Sequence, residues 1–303
     1  MNKNNVLTGD CRELLKTLPE KHFDCCITSP PYYGLRDYGV ENQIGLESTA
    51  DEYINQLVCV FREVKRVLKD DGTLWVNIGD SYAGNCSRTS TGRAGMGKER
   101  EGIYARKDAK PKDLIGIPWM LAFALRADGW YLRQDIIWAK PNPMPESVKD
   151  RCTKSHEYIF LLSKSQKYYF DYEAIQEDAI WKDDKRKDEG RIAYEGKRTD
   201  NNTSMGQQSF VKISDKRNKR DVWFVSPKPV KEAHFATYPE ELIEPCILAG
   251  SRAGGVVLDP FFGSGTTGRA ATRLGREYVG IELNEDYIKI SDKRTNNVQI
   301  QLL

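Results

Sequence analysis

Apolar residues recur at regular intervals towards both ends of the chain and lose that regularity in between. One helical stripe within residues 53–68 collects Ile54, Leu57, Val58, Phe61, Val64 and Leu68, and Gly72 follows as a stop signal. Short apolar runs predict strands at 23–28, 73–78, 131–138, 158–162, 256–259 and 277–282. Further helices are predicted at 114–127, 239–249, 266–274 and 285–296. Strands that alternate with helices at both ends predict a doubly wound α/β sheet.

Two polar stretches interrupt this pattern and gather positive charge. Residues 83–112 contain eight Lys or Arg against three Asp or Glu, and residues 182–220 contain twelve against seven. The formal net charge of the chain is only +2, so the rest of it is acidic. The first stretch is rich in glycine and predicts a mobile loop. Composition leaves two interpretations open, which are ordinary solvated loops or loops that face a polyanion.

The composition is that of a globular protein in water. Of its 303 residues, 39% are hydrophobic and 30% are charged. No apolar run approaches the roughly 18 residues of a membrane-spanning helix, and the amino end lacks a secretory apolar segment. Seven scattered cysteines include no CxxC pair, and the three histidines do not cluster, which argues against a disulfide framework or a metal site. We therefore expect a cytoplasmic protein with reduced thiols.

A glycine-rich turn follows the strand predicted at 256–259. Its glycines, Gly263, Gly265 and Gly268, fit the spacing GxGxxG, and Glu282 ends the next strand nineteen residues after the first of them. Such glycines let the backbone approach a ligand closely, and an acid at the next strand end can accept hydrogen bonds from a ribose. The pattern predicts an adenosine-containing ligand.

The residues around this turn narrow the choice of ligand. No Lys follows the glycines, which disfavours a triphosphate-binding loop. A nicotinamide dinucleotide stays open on the glycine motif alone, but Asp259 puts negative charge where its pyrophosphate would lie. S-adenosylmethionine, which has a positive sulfonium and no phosphate, fits better.

A second turn, Ser29-Pro30-Pro31-Tyr32, follows the strand predicted at 23–28. The two prolines fix φ and remove two N–H donors, so carbonyl oxygens and the Ser29 hydroxyl stay as acceptors. Rigid acceptors beside an aromatic ring suit a planar group that bears an NH2, such as the exocyclic amine of cytosine or adenine. They can make that nitrogen more nucleophilic while Tyr32 stacks on the base. Alone, Pro-Pro-Tyr is also a common loop or polyproline ligand.

Four segments together resemble the amino-group DNA methyltransferases of bacteria and phages. They are TSPPYY (28–33), HFATYP (234–239), DPFFGSGTT (259–267) and YVGIELNEDYI (278–288). The catalytic turn precedes the cofactor turn, which is similar to the beta class of that family. The resemblance covers roughly residues 1–82, 113–163 and 222–297.

The resemblance implies a Rossmann-like methyltransferase sheet with an appended, irregular target-recognition region. Residues 1–163 would form the catalytic half of the methyltransferase domain, with 83–112 as its mobile basic loop. Residues 164–222 would form the target-recognition region, and residues 223–303 the cofactor-binding half of the same domain.

The resemblance also implies roles for individual residues. Ser29, Pro30, Pro31 and Tyr32 would form the catalytic turn. The implied cofactor-binding residues are Asp259, Phe261, Gly263, Ser264, Gly265 and Thr266 on the methionine side, Glu282 at the ribose, Asp10 at the adenine, and His234 in a segment that closes over the cofactor. Asp10 is equally well explained as a helix N-cap, and His234 as a structural turn residue.

The implied activity is transfer of a methyl group from S-adenosylmethionine to N4 of a flipped cytosine in duplex DNA, as part of a restriction–modification system. In this family a Ser at the first position of the catalytic turn is associated with cytosine N4, and an Asp mainly with adenine N6. A Ser hydroxyl can donate to a ring nitrogen as well as accept, whereas an ionised Asp only accepts. Cytosine is therefore favoured, and adenine is the alternative. A cognate restriction endonuclease would act separately, and the enzyme would be a monomer or homodimer.

Other interpretations of the same motifs stay open. The chain could methylate an RNA base or a protein amide, or it could be a nucleic-acid-binding module whose glycine turn is only structural. Pro245-Cys246 is similar to the nucleophilic Pro-Cys of carbon-5 cytosine methyltransferases, but it lies inside a predicted apolar helix. We expect Cys246 to be a packed core residue.

Overall fold

The computed structural model describes residues 4–34, 43–83, 109–179, 215–227, 238–296 and 298. Contacts divide the chain into two units. The larger unit consists of Met1–Asp171 and Asp221–Leu303, and the smaller unit of Tyr172–Arg220. The basic stretch predicted as a mobile loop, apart from residues 83 and 109–112, lies outside the described residues.

Eight strands in the described part of the larger unit form one sheet. Numbered in chain order, the strands of this sheet are β1 (Asn5–Thr8), β2 (Phe23–Thr28), β3 (Leu68–Ile78), β4 (Tyr131–Ala139), β5 (His156–Ser163), β8 (Val222–Phe224), β9 (Val256–Asp259) and β10 (Glu277–Glu282). The two strands between β5 and β8, which are β6 (Glu177–Asp178) and β7 (Lys216–Arg217), belong to the smaller unit. Across the sheet the order is β1-β10-β9-β2-β3-β5-β4-β8. Neighbouring strands are parallel except at β5, which runs antiparallel to both β3 and β4. The carboxyl ends of β1, β10, β9 and β2 therefore lie side by side at one edge.

Helices cover both faces of this sheet. They are α1 (Cys11–Thr17), α2 (Ala50–Val67), α3 (Ile117–Ala127), α4 (Glu240–Gly250), α5 (Thr266–Arg273) and α6 (Glu285–Thr295). Leu74 and Val76 of β3 join a buried apolar cluster with α1, α2 and α3. Trp75 points the other way, because side chains alternate along a strand, and a Cβ added at Gly250 of α4 would lie 2.8 Å from its Nε1. The predicted doubly wound α/β sheet is confirmed.

Helix α2 follows from local sequence signals. Thr49 Oγ1 accepts from the Glu52 backbone N–H at 3.2 Å, and Glu52 Oε2 accepts from the Thr49 backbone N–H at 3.2 Å, which is a complete capping box. The predicted apolar stripe is buried from Ile54 to Val64. The helix ends at Val67, and Leu68 already belongs to β3.

The strands differ from the prediction in number and in bounds. β1, β6, β7 and β8 were not predicted, because each has four residues or fewer and is too short to show alternation, so the strand at 23–28 is the second rather than the first. β3 begins at Leu68, five residues before the predicted start, because backbone pairing extends it through a polar stretch. In that stretch, the carbonyl oxygens of Asp71 and Gly72 accept from Tyr169 N at 2.9 Å and Lys164 N at 3.3 Å.

The smaller unit lies within the predicted target-recognition region. β6 and β7 pair antiparallel, and Glu177 binds both Arg217 and Arg220 with N–O distances of 2.9 Å.

Across the described ranges of the whole chain, no helix is long and apolar enough to cross a membrane. The same described ranges contain no group of three His, Cys, Asp or Glu side chains arranged for a metal ion.

Candidate active site

The two turns at opposite ends of the sequence meet at adjacent strand ends. β2 and β9 are parallel neighbours, with Cys26 in register with Leu258. The hydroxyl of Thr28, two residues after Cys26, donates to Asp259 Oδ1 at 2.6 Å, and this hydrogen bond is buried. Ser29 follows directly after Thr28, so the Ser-Pro-Pro-Tyr turn and the glycine turn leave the sheet side by side.

Asp259 is the centre of this junction. Its side chain is buried, and besides Thr28 it accepts from the Thr267 hydroxyl at 2.5 Å, the Tyr238 hydroxyl at 3.1 Å and the Phe261 backbone N–H at 3.1 Å. Burial raises the pKa of Asp259, and the hydrogen bonds to Thr267, Thr28, Phe261 and Tyr238 offset part of that rise. The carboxylate thus holds the end of β2, which leads into the Ser-Pro-Pro-Tyr turn, against the glycine turn.

The glycine turn has open space on one side of Gly263. Gly263 has φ +52, and no described atom lies within 4 Å of the position that a Cβ would occupy there. Its N–H donates to Glu282 Oε2 at 2.7 Å, and the Asn284 N–H donates to Glu282 Oε1 at 2.8 Å. Burial raises the pKa of Glu282, although these backbone N–H groups counteract it. Glu282 therefore braces the glycine turn through the Gly263 N–H.

Residues of helix α6 contact the glycine turn and support it. Gly265, at φ +81, is the N-cap of α5, and a Cβ there would lie 2.7 Å from Ser291 Cβ. Arg294 donates to the Ser264 carbonyl at 2.7 Å and to the Ser264 hydroxyl at 2.5 Å. Ser264 and Thr266 are buried, so their side chains belong to this support. Phe261 is half-buried and packs against the apolar cluster of the first three helices.

Asp10 follows β1 at the same edge of the sheet. It is the N-cap of α1, since Oδ1 accepts from the Arg12 backbone N–H at 2.8 Å, and its carboxylate also forms an ion pair with the Arg12 guanidinium at 2.5 Å. Partial burial raises the pKa of Asp10, but hydrogen bonds from Arg12 lower it overall. The N-cap interpretation is confirmed; the role at the cofactor adenine stays a prediction.

The Ser-Pro-Pro-Tyr turn is anchored on both sides. Ser29 is half-buried and Pro30 is buried. The Pro31 carbonyl accepts from the Tyr53 hydroxyl of α2 at 2.8 Å, so this oxygen fixes the turn to the helix layer. The Tyr32 hydroxyl donates to Glu157 Oε2 at 2.6 Å. Burial and the Glu157 charge raise the pKa of Tyr32, while a hydrogen bond from Ser29 lowers it.

Gly79 is required by the position of the Tyr32 ring. A Cβ at Gly79 would lie 2.8 Å from Tyr32 Cε2, closer than real Cβ contacts come. We expect Gly79→Ala to displace the ring and lower turnover about tenfold or more, because small displacements of reacting groups are costly. Single-turnover methyl transfer measures this effect. In a Tyr32→Ala background the same substitution should cost little, and an equal loss there would contradict the proposed clash.

Several site residues were given no role by the sequence reasoning. Thr28, Thr267 and Tyr238 lie inside the segments that carry the resemblance, but the importance of their hydroxyls rests on contacts with Asp259. Arg294 and Glu157 lie on elements whose orientation was not predictable. His234 lies outside the described residues. Cys246 is fully buried within α4, which confirms it as a core residue.

Known proteins share both the sequence and the fold. A family model described as a DNA methylase matches residues 23–293. The Type II methyltransferase M.Cfr9I of Citrobacter freundii is 49% identical over 299 residues, covering 97% of this chain and 88% of the relative. The Type II methyltransferase M.SmaI of Serratia marcescens is 50% identical over 292 residues, covering 95% and 89%.

Two solved structures share the architecture at low sequence identity. The PvuII DNA methyltransferase (cytosine-N4-specific) is 19% identical, with a TM-score of 0.66 and coverage of 99% of this chain and 89% of that chain. A DNA modification methylase of Thermus thermophilus, complexed with S-adenosyl-L-methionine, is 22% identical, with a TM-score of 0.60 and coverage of 96% and 92%. They support the methyltransferase sheet. The family model and the two sequence relatives match most of the chain, and they show that the chain belongs to the N6/N4 family of DNA methylases.

Proposed function

We propose that the protein transfers a methyl group from S-adenosylmethionine to the exocyclic N4 of a cytosine extruded from duplex DNA at a specific sequence. The observation that carries the proposal is the buried Thr28–Asp259 hydrogen bond, since it joins an amine-binding turn to a nucleoside-binding turn. A methyl donor and an amino acceptor bound to these two turns would be neighbours.

The order of strand ends fits the parts of the cofactor. Along the edge come Asp10 after β1, Glu282 at the end of β10, the glycine turn after β9 and Ser29 after β2. With strands about 4.8 Å apart, this row spans about 14 Å, enough for an extended nucleoside with an amino-acid tail. Asp10 would accept from the adenine amine, Glu282 from the ribose hydroxyls, and the open backbone at Gly263 would receive the methionine end. When bound, S-adenosylmethionine supplies an electrophilic methyl group on a sulfonium.

The chain's own groups would act on the acceptor amine. Ser29 and the Pro30 carbonyl would accept from the amino N–H bonds and favour a tetrahedral, more nucleophilic nitrogen, whereas the Pro31 carbonyl already accepts from Tyr53. Tyr32 would hold the extruded base by stacking. No protein nucleophile is needed, and the acceleration would come from positioning and polarisation.

The base assignment rests on Ser29. A hydroxyl there can donate to the ring nitrogen beside the amine as well as accept from the amine. One structural relative, the PvuII DNA methyltransferase, is cytosine-N4-specific. Adenine N6 is the second candidate, because adenine also offers an amino donor beside a ring acceptor.

Analysis of the methylated nucleoside tests this proposal. The protein is incubated with duplex DNA and S-adenosylmethionine, the DNA is digested to nucleosides, and the products are separated by mass. We expect N4-methylcytosine. N6-methyladenine would overturn the base assignment, and methylation of RNA or protein that duplex DNA does not compete with would overturn the substrate. A protein that gives no heat with S-adenosylmethionine in calorimetry would overturn the activity itself.

We extend the role of the sequence relatives to this chain. Their names place them among Type II methyltransferases, so we propose that this enzyme protects DNA in a restriction–modification system whose nuclease is a separate protein. The basic target-recognition region would select the sequence. Cytoplasmic location and a monomeric or dimeric state stay predictions.

A further inference from the structure

Polar side chains from two strands contact the Tyr32 hydroxyl, which donates to Glu157 Oε2 at 2.6 Å and lies 3.4 Å from Asn77 Oδ1, and a third polar side chain, Lys140, fixes Glu157. Glu157 stands at the start of β5, which is antiparallel, so its beginning lies at the edge where the other strands end. Asn77, near the end of β3, donates from Nδ2 to Glu157 Oε2 at 3.3 Å and to the Tyr158 carbonyl at 3.1 Å. Lys140, directly after β4, forms an ion pair with Glu157 Oε1.

This cluster is held away from water. The side chains of Glu157 and Lys140 are 14% and 20% exposed, and the Lys140 ammonium lies 4.3 Å from the centre of the Trp138 ring. One carboxylate oxygen is thus occupied by Lys140, while the other accepts from Tyr32 at 2.6 Å. The acceptor for the Tyr32 hydroxyl has a fixed position set by β3, β4 and β5.

A stability role alone explains this arrangement poorly. A mostly buried ion pair is seldom better for stability than packed apolar side chains. It does fix direction in two ways. The hydrogen bond anchors the hydroxyl end of the Tyr32 side chain, and because a phenol O–H prefers to lie in the plane of its ring, an acceptor at a fixed position also restrains the ring plane. Stacking on an extruded base needs that ring held within about 10–20° of one plane.

We propose that Glu157 is a positioning residue, which holds the Tyr32 ring in the plane that stacks on the extruded base. This inference rests on the proposed function. Lys140 and Asn77 fix Glu157, and Glu157 acts on the reaction only through the Tyr32 hydroxyl.

A double-mutant cycle tests this inference. Glu157→Ala and Tyr32→Phe should each lower the single-turnover rate by about tenfold, with unchanged affinity for S-adenosylmethionine. The double variant should be no slower than the slower single variant, because both changes remove one interaction. Losses that multiply in the double variant would overturn the proposal.

A conservative variant and a fluorescent base analogue add two tests to the double-mutant cycle. Glu157→Gln keeps an oxygen that can accept from Tyr32, so it should recover most of the rate; a rate as low as that of Glu157→Ala would contradict a positioning role. With 2-aminopurine as the target base, Glu157→Ala should change the fluorescence of the extruded state, and an unchanged signal would count against the stacking plane.

Asp128 provides the matched control. It is also 14% exposed and pairs with Arg62 at 2.6 Å, but it lies before the start of β4, at the opposite edge. Asp128→Asn should leave the methylation rate unchanged, and a loss equal to that of Glu157→Ala would mean that ion-pair removal acts generally on the fold. The wild-type product is identified first, so absence of DNA methylation refutes the proposed function, whereas a different methylated base leaves the cycle interpretable.

Discussion

Replacing Ser29 with alanine is expected to lower the single-turnover rate of methyl transfer by about 100-fold, the usual cost of removing one preorganised polar group that stabilises a transition state. The affinity for S-adenosylmethionine should stay within about twofold. The reason is geometric: Ser29 follows β2, whereas the residues proposed to bind the cofactor lie at or after the ends of β9, β10 and β1. Rapid-quench kinetics and calorimetry measure the two quantities separately.

A threonine at the same position is the control for this prediction. The residue before a proline favours extended backbone, which a β-branched side chain adopts without strain. Ser29→Thr retains the hydroxyl and should keep much more activity than Ser29→Ala. Equal losses of rate and cofactor affinity in the alanine variant would contradict a role for Ser29 at the amine.

The segment from β9 to α6 was predictable almost residue by residue. The strands at 256–259 and 277–282 have the predicted bounds, and α5 ends one residue before the prediction. Apolar runs, a glycine turn and an amphipathic helix are local signals, and here they agree with one another. The positive φ values at Gly263 and Gly265 explain why glycine marks the turn.

What joins the two halves could not be predicted in the same way. Thr28 and Asp259 are 231 residues apart in sequence, and no local pattern in the sequence indicates that their side chains form a hydrogen bond. The position of Glu157 was not predictable for another reason. Only the antiparallel direction of β5 brings its first residues to the edge of the sheet where β2, β9 and β10 end. Short strands such as β1 lack the length over which alternation can be recognised.

Replacing Asp259 with alanine is expected to lower the free energy of unfolding by about 3 kcal/mol, because it leaves buried hydroxyls and a buried backbone N–H without their acceptor. Cofactor binding should weaken more than tenfold, since the glycine turn loses its anchor. Urea denaturation and calorimetry measure these effects. Asp259→Asn keeps one carbonyl oxygen, and Thr267 and Tyr238 can rotate their hydroxyls to accept from its amide, so we expect this variant to remain close to wild type in stability at neutral pH.

The pH dependence separates the charge of Asp259 from its hydrogen bonds. Burial raises the pKa of Asp259 above its ordinary 3.8, so folding favours the protonated form. The stability that this shift contributes is fully present below the ordinary value and is lost as the pH rises through the raised one. Asp259→Asn cannot titrate, whereas every other carboxylate is shared with the wild type. The stability of wild type relative to Asp259→Asn should therefore fall as the pH increases across this window. If that difference instead rises with pH, the buried carboxylate is stabilised as the anion, and its hydrogen bonds outweigh the cost of desolvation.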